Sequence, residues 1–309
     1  MQDDRDDDKT AIVSLRTAQR AGEVLAELIA RPLAPGLYLV ATPIGNLADV
    51  SLRALSVLVR ADLIAAEDTR HSKKLLSHFG VAAKLTPYHE HNAERERPKL
   101  IARLRAGQSV ALISDAGTPL VSDPGYKLVR DALDEGIMVM SIPGPCAALA
   151  ALTSAGLPTD TFLFAGFLPP KSGARRTRLE ELKNAPATLL FFETAPRLAK
   201  SVADMAGVLG SREAAIAKEL TKLHESVTRG PLDRLAHHLS GGETLKGEFV
   251  VVVAPPAEEE AEISDEKILE QLKKALNLES FRDAVRSVAE VLNVSRARVY
   301  ELGLKLKRD

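Results

Sequence analysis

The sequence of 309 residues contains one cysteine and no tryptophan, and it lacks any long uncharged apolar run. A single cysteine excludes an internal disulfide framework and is typical of proteins from a reducing compartment. Without about 18 consecutive apolar residues, no segment is expected to cross a membrane as a helix. The first eight residues carry five aspartates, where a secretory leader would be basic. These features together predict a cytoplasmic protein.

The sequence also lacks an excess of either charge, with 41 Lys and Arg against 42 Asp and Glu. The charges are nevertheless distributed unevenly, because residues 1–8 have a net charge of −4 and residues 258–270 a net charge of −6. Since the whole chain has −1, everything outside these two segments carries +9. That excess is compatible with a polyanionic partner, although scattered surface lysines and arginines would give the same total.

Short apolar runs alternate with helical patterns along most of the chain, which predicts an α/β fold with a largely parallel sheet. A Pro- and Gly-rich stretch at 166–173 is typical of a linker between two such domains. The predicted divisions are an N-terminal extension with a helix over 9–30 (1–36), two α/β domains (37–166 and 167–256), an acidic linker (257–279) and a helical module (280–309).

The last 30 residues have the pattern of a helix-turn-helix. An apolar stripe precedes a turn with Ser295 as helix cap, and a second helix follows. Residues 281–309 have a net charge of +3, and basic side chains suited to phosphates are expected on the exposed face. The predicted RNA contacts are Arg296, Arg298, Lys305 and Lys307 here, with Arg175 and Arg176 near the linker. The alternative is a small packing module with a solvated basic face.

Loops rich in small residues and proline follow four predicted strands, at 41–47, 113–125, 142–148 and 191–197. Ligands of α/β proteins bind beyond the carboxyl ends of strands, and such loops let a ligand approach the backbone closely. For any one of these loops a simple chain reversal is the better explanation. Four of them together favour a ligand site.

Known nucleotide signatures are missing. Neither G-x-G-x-x-G after the first strand nor G-x-x-x-x-G-K-S/T occurs, which argues against a nicotinamide dehydrogenase and a P-loop ATPase.

Cys146 has no histidine nearby in the sequence, so a small buried residue is a better interpretation than a nucleophile. His89 and His91 would share one face of a strand, but further ligands for a metal are not evident. We therefore predict no metal.

Four motifs resemble those of the tetrapyrrole methylase superfamily. They are LVATPIGNL at 39–47, AEDTR at 66–70, SDAGTP at 114–119 and KELTK at 218–222. Within the superfamily they are similar to the bacterial branch that methylates the ribose 2′-hydroxyl of cytidine 1402 in 16S ribosomal RNA. The similarity covers residues 37–254, and 280–307 fits the carboxyl-terminal extension of that branch. Residues 1–36 have no counterpart.

The resemblance implies two α/β domains with S-adenosylmethionine in the cleft between them, acting as a homodimer on the small ribosomal subunit. Thr42-Pro43 and Thr118 depart from the tetrapyrrole-binding branches, which argues against a porphyrin or corrin substrate. The implied cofactor contacts are Pro43, Ile44, Asp115, Gly117, Thr118, Val121, Cys146, Ala147, Phe192 and Leu220.

A ribose hydroxyl becomes a good nucleophile only when its proton is removed or its oxyanion is stabilised. We hypothesise that Glu67 or Asp68 assists deprotonation, while Arg70 or Lys218 holds an RNA phosphate or the developing oxyanion. The alternative for this segment is that Asp68 caps a helix. Two other functions remain open, a small-molecule tetrapyrrole or corrin methylase and a helix-turn-helix nucleic-acid-binding regulator.

Overall fold

The computed structural model describes residues 3–241, 245–257, 265–277, 279–292 and 294–306, with the backbone alone for 3–12 and 267. The chain forms two compact units, Met1–Pro255 and Pro256–Asp309. Within the described residues, none of the helices has both the length and the apolar character that a membrane crossing requires.

The first sheet of the larger unit is entirely parallel, with the strand order β3-β2-β4-β1-β5. Its strands are β1 (Gly36–Val40), β2 (Leu63–Ala66), β3 (Leu85–Pro87), β4 (Ser109–Ile113) and β5 (Val139–Ile142). The helices of this part are α1 (Asp3–Ala30), α2 (Leu52–Arg60), α3 (Thr69–His78), α4 (Ala93–Arg105) and α5 (Tyr126–Asp134).

Helices cover both faces of this sheet. Leu37 belongs to an apolar cluster that includes Leu100 of α4, whereas Tyr38 belongs to a second cluster that includes Leu58 of α2. Successive side chains of a strand point to opposite faces, so a strand buried on both sides must be apolar throughout. This is why the strand predictions from unbroken apolar runs agree with the structure.

The second sheet is mixed, with the order β6-β7-β10-β8-β9. Only β6 and β7 are parallel, and the remaining pairs are antiparallel. Its strands are β6 (Phe162–Phe167), β7 (Thr188–Thr194), β8 (Glu213–Lys218), β9 (Ser226–Pro231) and β10 (Glu248–Val253). Its helices are α6 (Ala147–Ala155), α7 (Ser172–Leu182), α8 (Ala195–Leu209) and α9 (Leu232–Leu239). The predicted α/β class is confirmed, but the largely parallel arrangement holds for the first sheet only.

The border between the two sheets lies earlier in the chain than the predicted 166/167. β6 is an edge strand of the second sheet, and α6 packs on that sheet through Ala148, Ala151 and Leu152. Residues 147–166 therefore belong with the second sheet. The Pro-Gly stretch at 166–173 is not the linker; it is a turn from β6 into α7.

The smaller unit is a three-helix arrangement in its described residues, made of α10 (Asp265–Leu276), α11 (Phe281–Val291) and α12 (Arg296–Leu306). Ile268 and Leu272 of α10 are fully buried in its core, beside Val288 and Val299. The predicted acidic linker over 257–279 is therefore wrong for 265–276. The acidic residues 258–264 lie outside the described residues. The predicted helix-turn-helix is present, and Ser295 caps α12 by accepting a hydrogen bond from the Arg298 amide at 3.3 Å.

Candidate active site

A cavity of about 340 Å³ lies between the two sheets of the larger unit, which we call the cleft pocket. Its walls come from the loops that follow β1, β2, β4 and β5, and from the facing edge of the second sheet. It is lined by Ile44, Glu67, Asp115, Ala116, Gly117, Thr118, Val121, Ser122, Asp123, Cys146, Ala147, Phe167, Phe192, Glu193, Thr194, Ala217, Leu220, Glu248, Phe249 and Val250. Parallel strands bring their carboxyl ends to one edge, which explains why distant loops meet here.

Backbone hydrogen bonds fix the loops of the first wall to each other. The amides of Thr42 and Gly117 donate to each other's carbonyls, at 2.9 and 3.0 Å. The Thr118 hydroxyl donates to the Pro145 carbonyl at 3.1 Å, which ties the loop after β4 to the loop before α6. Gly117 has a φ of 82°, a conformation that glycine adopts without strain. The small residues of these motifs are thus needed for the geometry of the wall.

The second wall meets the first at the mouth of the pocket. Thr221 accepts a hydrogen bond from the Asn46 amide at 3.1 Å, and Ile44 and Leu220 belong to one apolar cluster. Phe167 and Phe192 pack edge to face with their ring centres 5.6 Å apart. Since Phe167 is half exposed, the pocket offers an aromatic ring at its opening.

Carboxylates dominate the electrostatics of the cleft pocket. Burial and the nearby Asp115 carboxylate raise the pKa of Glu67, which accepts a hydrogen bond from the Asp115 amide. Burial, followed by repulsion from Glu67, raises the pKa of Asp123 to about 6. Among the described residues that line the pocket there is no Lys, Arg or His. The wall therefore favours a cationic ligand over a phosphate.

The structure brings together nearly all of the predicted cofactor contacts. Ile44, Asp115, Gly117, Thr118, Val121, Cys146, Ala147, Phe192 and Leu220 all line the cleft pocket. Pro43 is the exception, because its side chain is buried next to Ile44 and does not reach the wall.

Of the four predicted catalytic residues, only Glu67 lines the cleft pocket. Glu67 faces the cleft pocket, but Asp68 caps α3 by accepting from the Arg70 amide at 2.8 Å, as the alternative interpretation proposed. Hydrogen bonds from the Arg70 side chain lower the pKa of Asp68 to about 2. Arg70 pairs with Asp68 on the surface, with its side chain 89% exposed. Alternation along β8 places Lys218 on the opposite face from Ala217, so Lys218 does not line the pocket either.

The predicted RNA contacts include both buried and exposed side chains. The prediction that Arg175 contacts RNA is wrong. Its guanidinium is buried, pairs with Asp204 at 2.6 Å and donates to the Pro170 carbonyl. It joins α7 to α8 and is not available to RNA. Arg176 is half exposed beside the same carboxylate. Arg298 pairs with Asp265 at 2.8 Å, while Lys305 is exposed. Arg296 pairs with Glu290 on the surface, and Lys307 lies outside the described residues.

Sequence reasoning missed several residues of the pocket wall. Asp123 and Thr194 lie in segments that the sequence singled out as loops, so the missing information was which of their side chains face the pocket. Phe167 was missed because its segment was interpreted as a linker. His89 and His91 follow β3 in a turn rather than on a strand, and within the described part of the chain no cluster of ligands for a metal ion occurs.

Comparisons with known proteins agree with this geometry. Residues 36–236 match the family model of the Tetrapyrrole (Corrin/Porphyrin) Methylases. A Mesorhizobium japonicum protein named Ribosomal RNA small subunit methyltransferase I is 54% identical over 283 residues, covering 91% of this chain and 95% of that protein. A protein of the same name from Escherichia coli O157:H7 is 45% identical, covering 87% and 94%. A solved uroporphyrin-III C-methyl transferase from Thermus thermophilus, complexed with S-adenyl homocysteine, has a TM-score of 0.50 at 21% identity, covering 70% and 96%.

Proposed function

The chain belongs to the tetrapyrrole methylase family, and from that premise we propose that it transfers a methyl group from S-adenosylmethionine to 16S ribosomal RNA. The names of relatives at 45% and 54% identity over most of both chains support this assignment. The motifs at 39–47, 66–70, 114–119 and 218–222 support the ribose 2′-hydroxyl of cytidine 1402 as the acceptor. The single observation that carries the proposal is the acidic wall of the cleft pocket, whose described lining residues include no Lys, Arg or His.

The cleft pocket fits S-adenosylmethionine in size and in charge. About 340 Å³ lies within the range of small-molecule sites. The cofactor carries a sulfonium and an ammonium group and no phosphate, and Glu67, Asp115 and Asp123 supply negative charge. Apolar side chains such as Val121 and Phe192 can cover an adenine ring. When bound, the cofactor would supply an electrophilic methyl group to an oxygen nucleophile.

We propose that Glu67 is the residue of this chain that acts on the acceptor. Its carboxylate lies in the pocket wall, and the Asp115 amide fixes its orientation. A raised pKa brings a carboxylate closer to the pH of the reaction and makes it a better proton acceptor. We assign Glu67 to accepting the proton of the 2′-hydroxyl, whose oxygen would take the methyl group as the methyl carbon–sulfur bond breaks and the neutral thioether leaves. Asp68, Arg70 and Lys218 have no such position.

Phosphates of the RNA must bind away from the carboxylates of the pocket wall. Arg176 on α7 is half exposed and follows Phe167, which lines the pocket, by nine residues in the sequence. Arg296 and Lys305 are exposed on the smaller unit. These cations are suited to hold the RNA backbone, which carries no sequence information itself.

We include a homodimer and a cytoplasmic location in the proposal. The outer strand β5 leaves Met138 and Met140 more than a third exposed at an unpaired sheet edge, a surface that a second copy can cover. The proposed substrate, ribosomal RNA, lies in the cytoplasm. Light scattering of the wild type and of Met140→Glu tests the dimer, since a charge on this edge is expected to give monomers.

The two alternative functions have weaker support. Solved tetrapyrrole methylases share the fold at identities that carry no substrate assignment, and the relatives at higher identity are named for ribosomal RNA. A nucleic-acid-binding regulator would leave the cleft pocket without a task.

The deciding experiment is incubation of the protein with labelled S-adenosylmethionine and small ribosomal subunits that lack the methyl group. We expect one methyl group per particle, mapped to the ribose of cytidine 1402. Naked 16S RNA and a uroporphyrinogen are incubated in parallel. Label on the porphyrin alone, with none on either RNA substrate, would overturn the proposal.

A further inference from the structure

A second cavity lies on the smaller unit, in the groove between α11 and α12. Its volume is about 480 Å³, and we call it the α11–α12 cavity. It is lined by Phe281, Arg282, Val285, Arg286, Arg296 and Tyr300. Its chemistry is the reverse of that of the cleft pocket, since three arginines and, among the described residues, no carboxylate line it. Such a cavity favours an anionic ligand.

Two aromatic rings form one side of the cavity. Phe281 and Tyr300 pack edge to face with their ring centres 5.6 Å apart, which fixes the orientation of the Tyr300 ring. About half of Tyr300 remains exposed, whereas Val285 behind it is buried. A fixed, half-exposed ring beside an apolar floor is a surface on which a planar group can stack.

The three arginines can be recruited by phosphate. Arg286 pairs with Asp283 at 3.1 Å and Arg296 with Glu290 at 2.9 Å, both between exposed side chains. Exposed ion pairs contribute little, so a phosphate oxygen can replace the carboxylate at small cost. In the part of the chain that the structure describes, Arg282 forms no ion pair. An arginine fork binds phosphate through two parallel hydrogen bonds.

We propose that the α11–α12 cavity binds one unpaired nucleotide of the RNA, with its base stacked on Tyr300 and its phosphates held by Arg282, Arg286 and Arg296. The proposal rests on the function above in that RNA is the partner. Unpaired bases are free to stack on aromatic side chains, whereas the bases of a duplex are already stacked on each other. The cavity therefore selects single-stranded RNA, such as a loop or a bulge.

The test measures binding of the full-length protein to a fluorescein-labelled, unstructured RNA of 12 nucleotides and to a hairpin of equal charge, over a range of salt. Tyr300→Ala is expected to weaken single-strand binding about tenfold and to leave the salt dependence unchanged, because a stacking contact is lost. Tyr300→Phe keeps the ring and is expected to bind within about twofold of the wild type.

Arg282→Gln is expected to act differently from the tyrosine variant. Loss of one phosphate contact reduces the slope of log affinity against log salt by about 0.7 for a single strand. Lys273→Gln removes the same charge from the exposed face of α10, outside the cavity, and is the matched control. It is expected to change neither the slope nor the preference for the single strand. Circular dichroism of each variant confirms folding.

Two outcomes would overturn the proposal. In the first, Tyr300→Ala and Arg282→Gln bind the single strand like the wild type. In the second, both variants keep their affinity for the single strand and lose affinity for an acidic peptide of equal charge. Methylation of ribosomal particles by the wild type is measured separately. If the wild type methylates the particles but the cavity variants bind RNA as it does, the proposed nucleotide site is wrong and the proposed reaction stands. If the wild type does not methylate the particles but needs Tyr300 to bind RNA, the proposed reaction is wrong and the nucleotide site stands.

Discussion

Glu67 and Asp68 are neighbouring acids at the end of β2, and the fold gives them different environments. Glu67 faces the cleft pocket with a raised pKa, whereas Asp68 caps α3 with a pKa of about 2. We expect Glu67→Gln to lower the methyl transfer rate about a hundredfold or more, because the amide cannot accept the proton. Single-turnover rates at saturating S-adenosylmethionine measure this loss.

Asp68→Asn is the control for that experiment. Asparagine is also a good N-cap, so the variant is expected to keep nearly normal turnover and nearly normal stability. Cofactor affinity of both variants is measured by calorimetry, to separate binding from chemistry. Normal turnover in Glu67→Gln would remove Glu67 from the mechanism.

The raised pKa of Asp123 predicts how cofactor binding depends on pH. Its folded value of about 6 lies above the ordinary value of 3.8, because burial and Glu67 oppose ionisation. The folded state therefore binds the proton more tightly than the unfolded state, and this group's contribution to stability falls as the pH rises from about 4 to about 6. A bound cation favours the ionised form.

We accordingly expect the affinity for S-adenosylmethionine to fall as the pH is lowered below about 6. Calorimetry between pH 5 and pH 8 measures the profile. Asp123→Asn is expected to flatten it and to raise the melting temperature at pH 8 more than at pH 4.5, because the costly charge is removed. A profile that is unchanged in this variant would show that Asp123 does not face the cation.

At the scale of elements, the pocket depends on the contact between the loop after β1 and the loop after β8. A Cβ added to Gly45 would lie 2.5 Å from Cγ of Lys222 and 2.9 Å from Oγ1 of Thr221. We expect Gly45→Ala to push these loops apart and to weaken S-adenosylmethionine binding about tenfold, since Ile44 and Leu220 flank the pocket.

Gly173→Ala is the matched control for the loop contact. A Cβ at Gly173 meets nothing within 4 Å, and the residue lies in α7, where alanine is favoured by about 1 kcal/mol. Cofactor affinity is expected to stay the same in this variant, and thermal stability to rise slightly. Equal affinities for all three proteins would show that the loop contact does not shape the pocket.

The elements that sequence patterns predicted well are those whose burial is visible along the chain. Strands β1, β4 and β10 are apolar after their first residue, and the small-residue motifs that follow β1 and β4 line the pocket. The helix α10 was missed because the acidic run 258–270 overlaps its first half and concealed the apolar spacing of Ile268 and Leu272, which are fully buried. The buried Arg175 was missed because its partner Asp204 is far away in sequence and only the fold brings them together.

At the scale of the whole molecule, the two cavities have walls of opposite charge and lie in different units. The cleft pocket, in the unit Met1–Pro255, is walled by carboxylates. The α11–α12 cavity, in the unit Pro256–Asp309, is walled by arginines. A net charge of −1 over the chain is therefore the sum of a carboxylate-lined pocket, acidic segments and an arginine-lined cavity, which we propose as the sites of the cofactor and of RNA. Binding of a sulfonium and of a polyanion by one chain requires this separation.

This separation predicts the behaviour of a chain ended after residue 257. Every residue that lines the cleft pocket lies between Ile44 and Val250, and the smaller unit has its own apolar core. We expect the shortened protein to bind S-adenosylmethionine like the full chain in calorimetry. Its KM for ribosomal particles is expected to rise about tenfold or more at physiological salt, because several phosphate contacts are lost.

The salt dependence of that defect distinguishes its cause. Phosphate contacts contribute most to affinity at low salt, so losing them raises KM most at low salt. The KM values of the shortened and full-length proteins should therefore converge as salt is raised. The full-length control is Lys273→Gln, which changes the charge of the smaller unit outside the α11–α12 cavity. A shortened protein that loses cofactor binding, or that keeps the KM of the full chain at low salt, would contradict the assignment of RNA binding to the smaller unit.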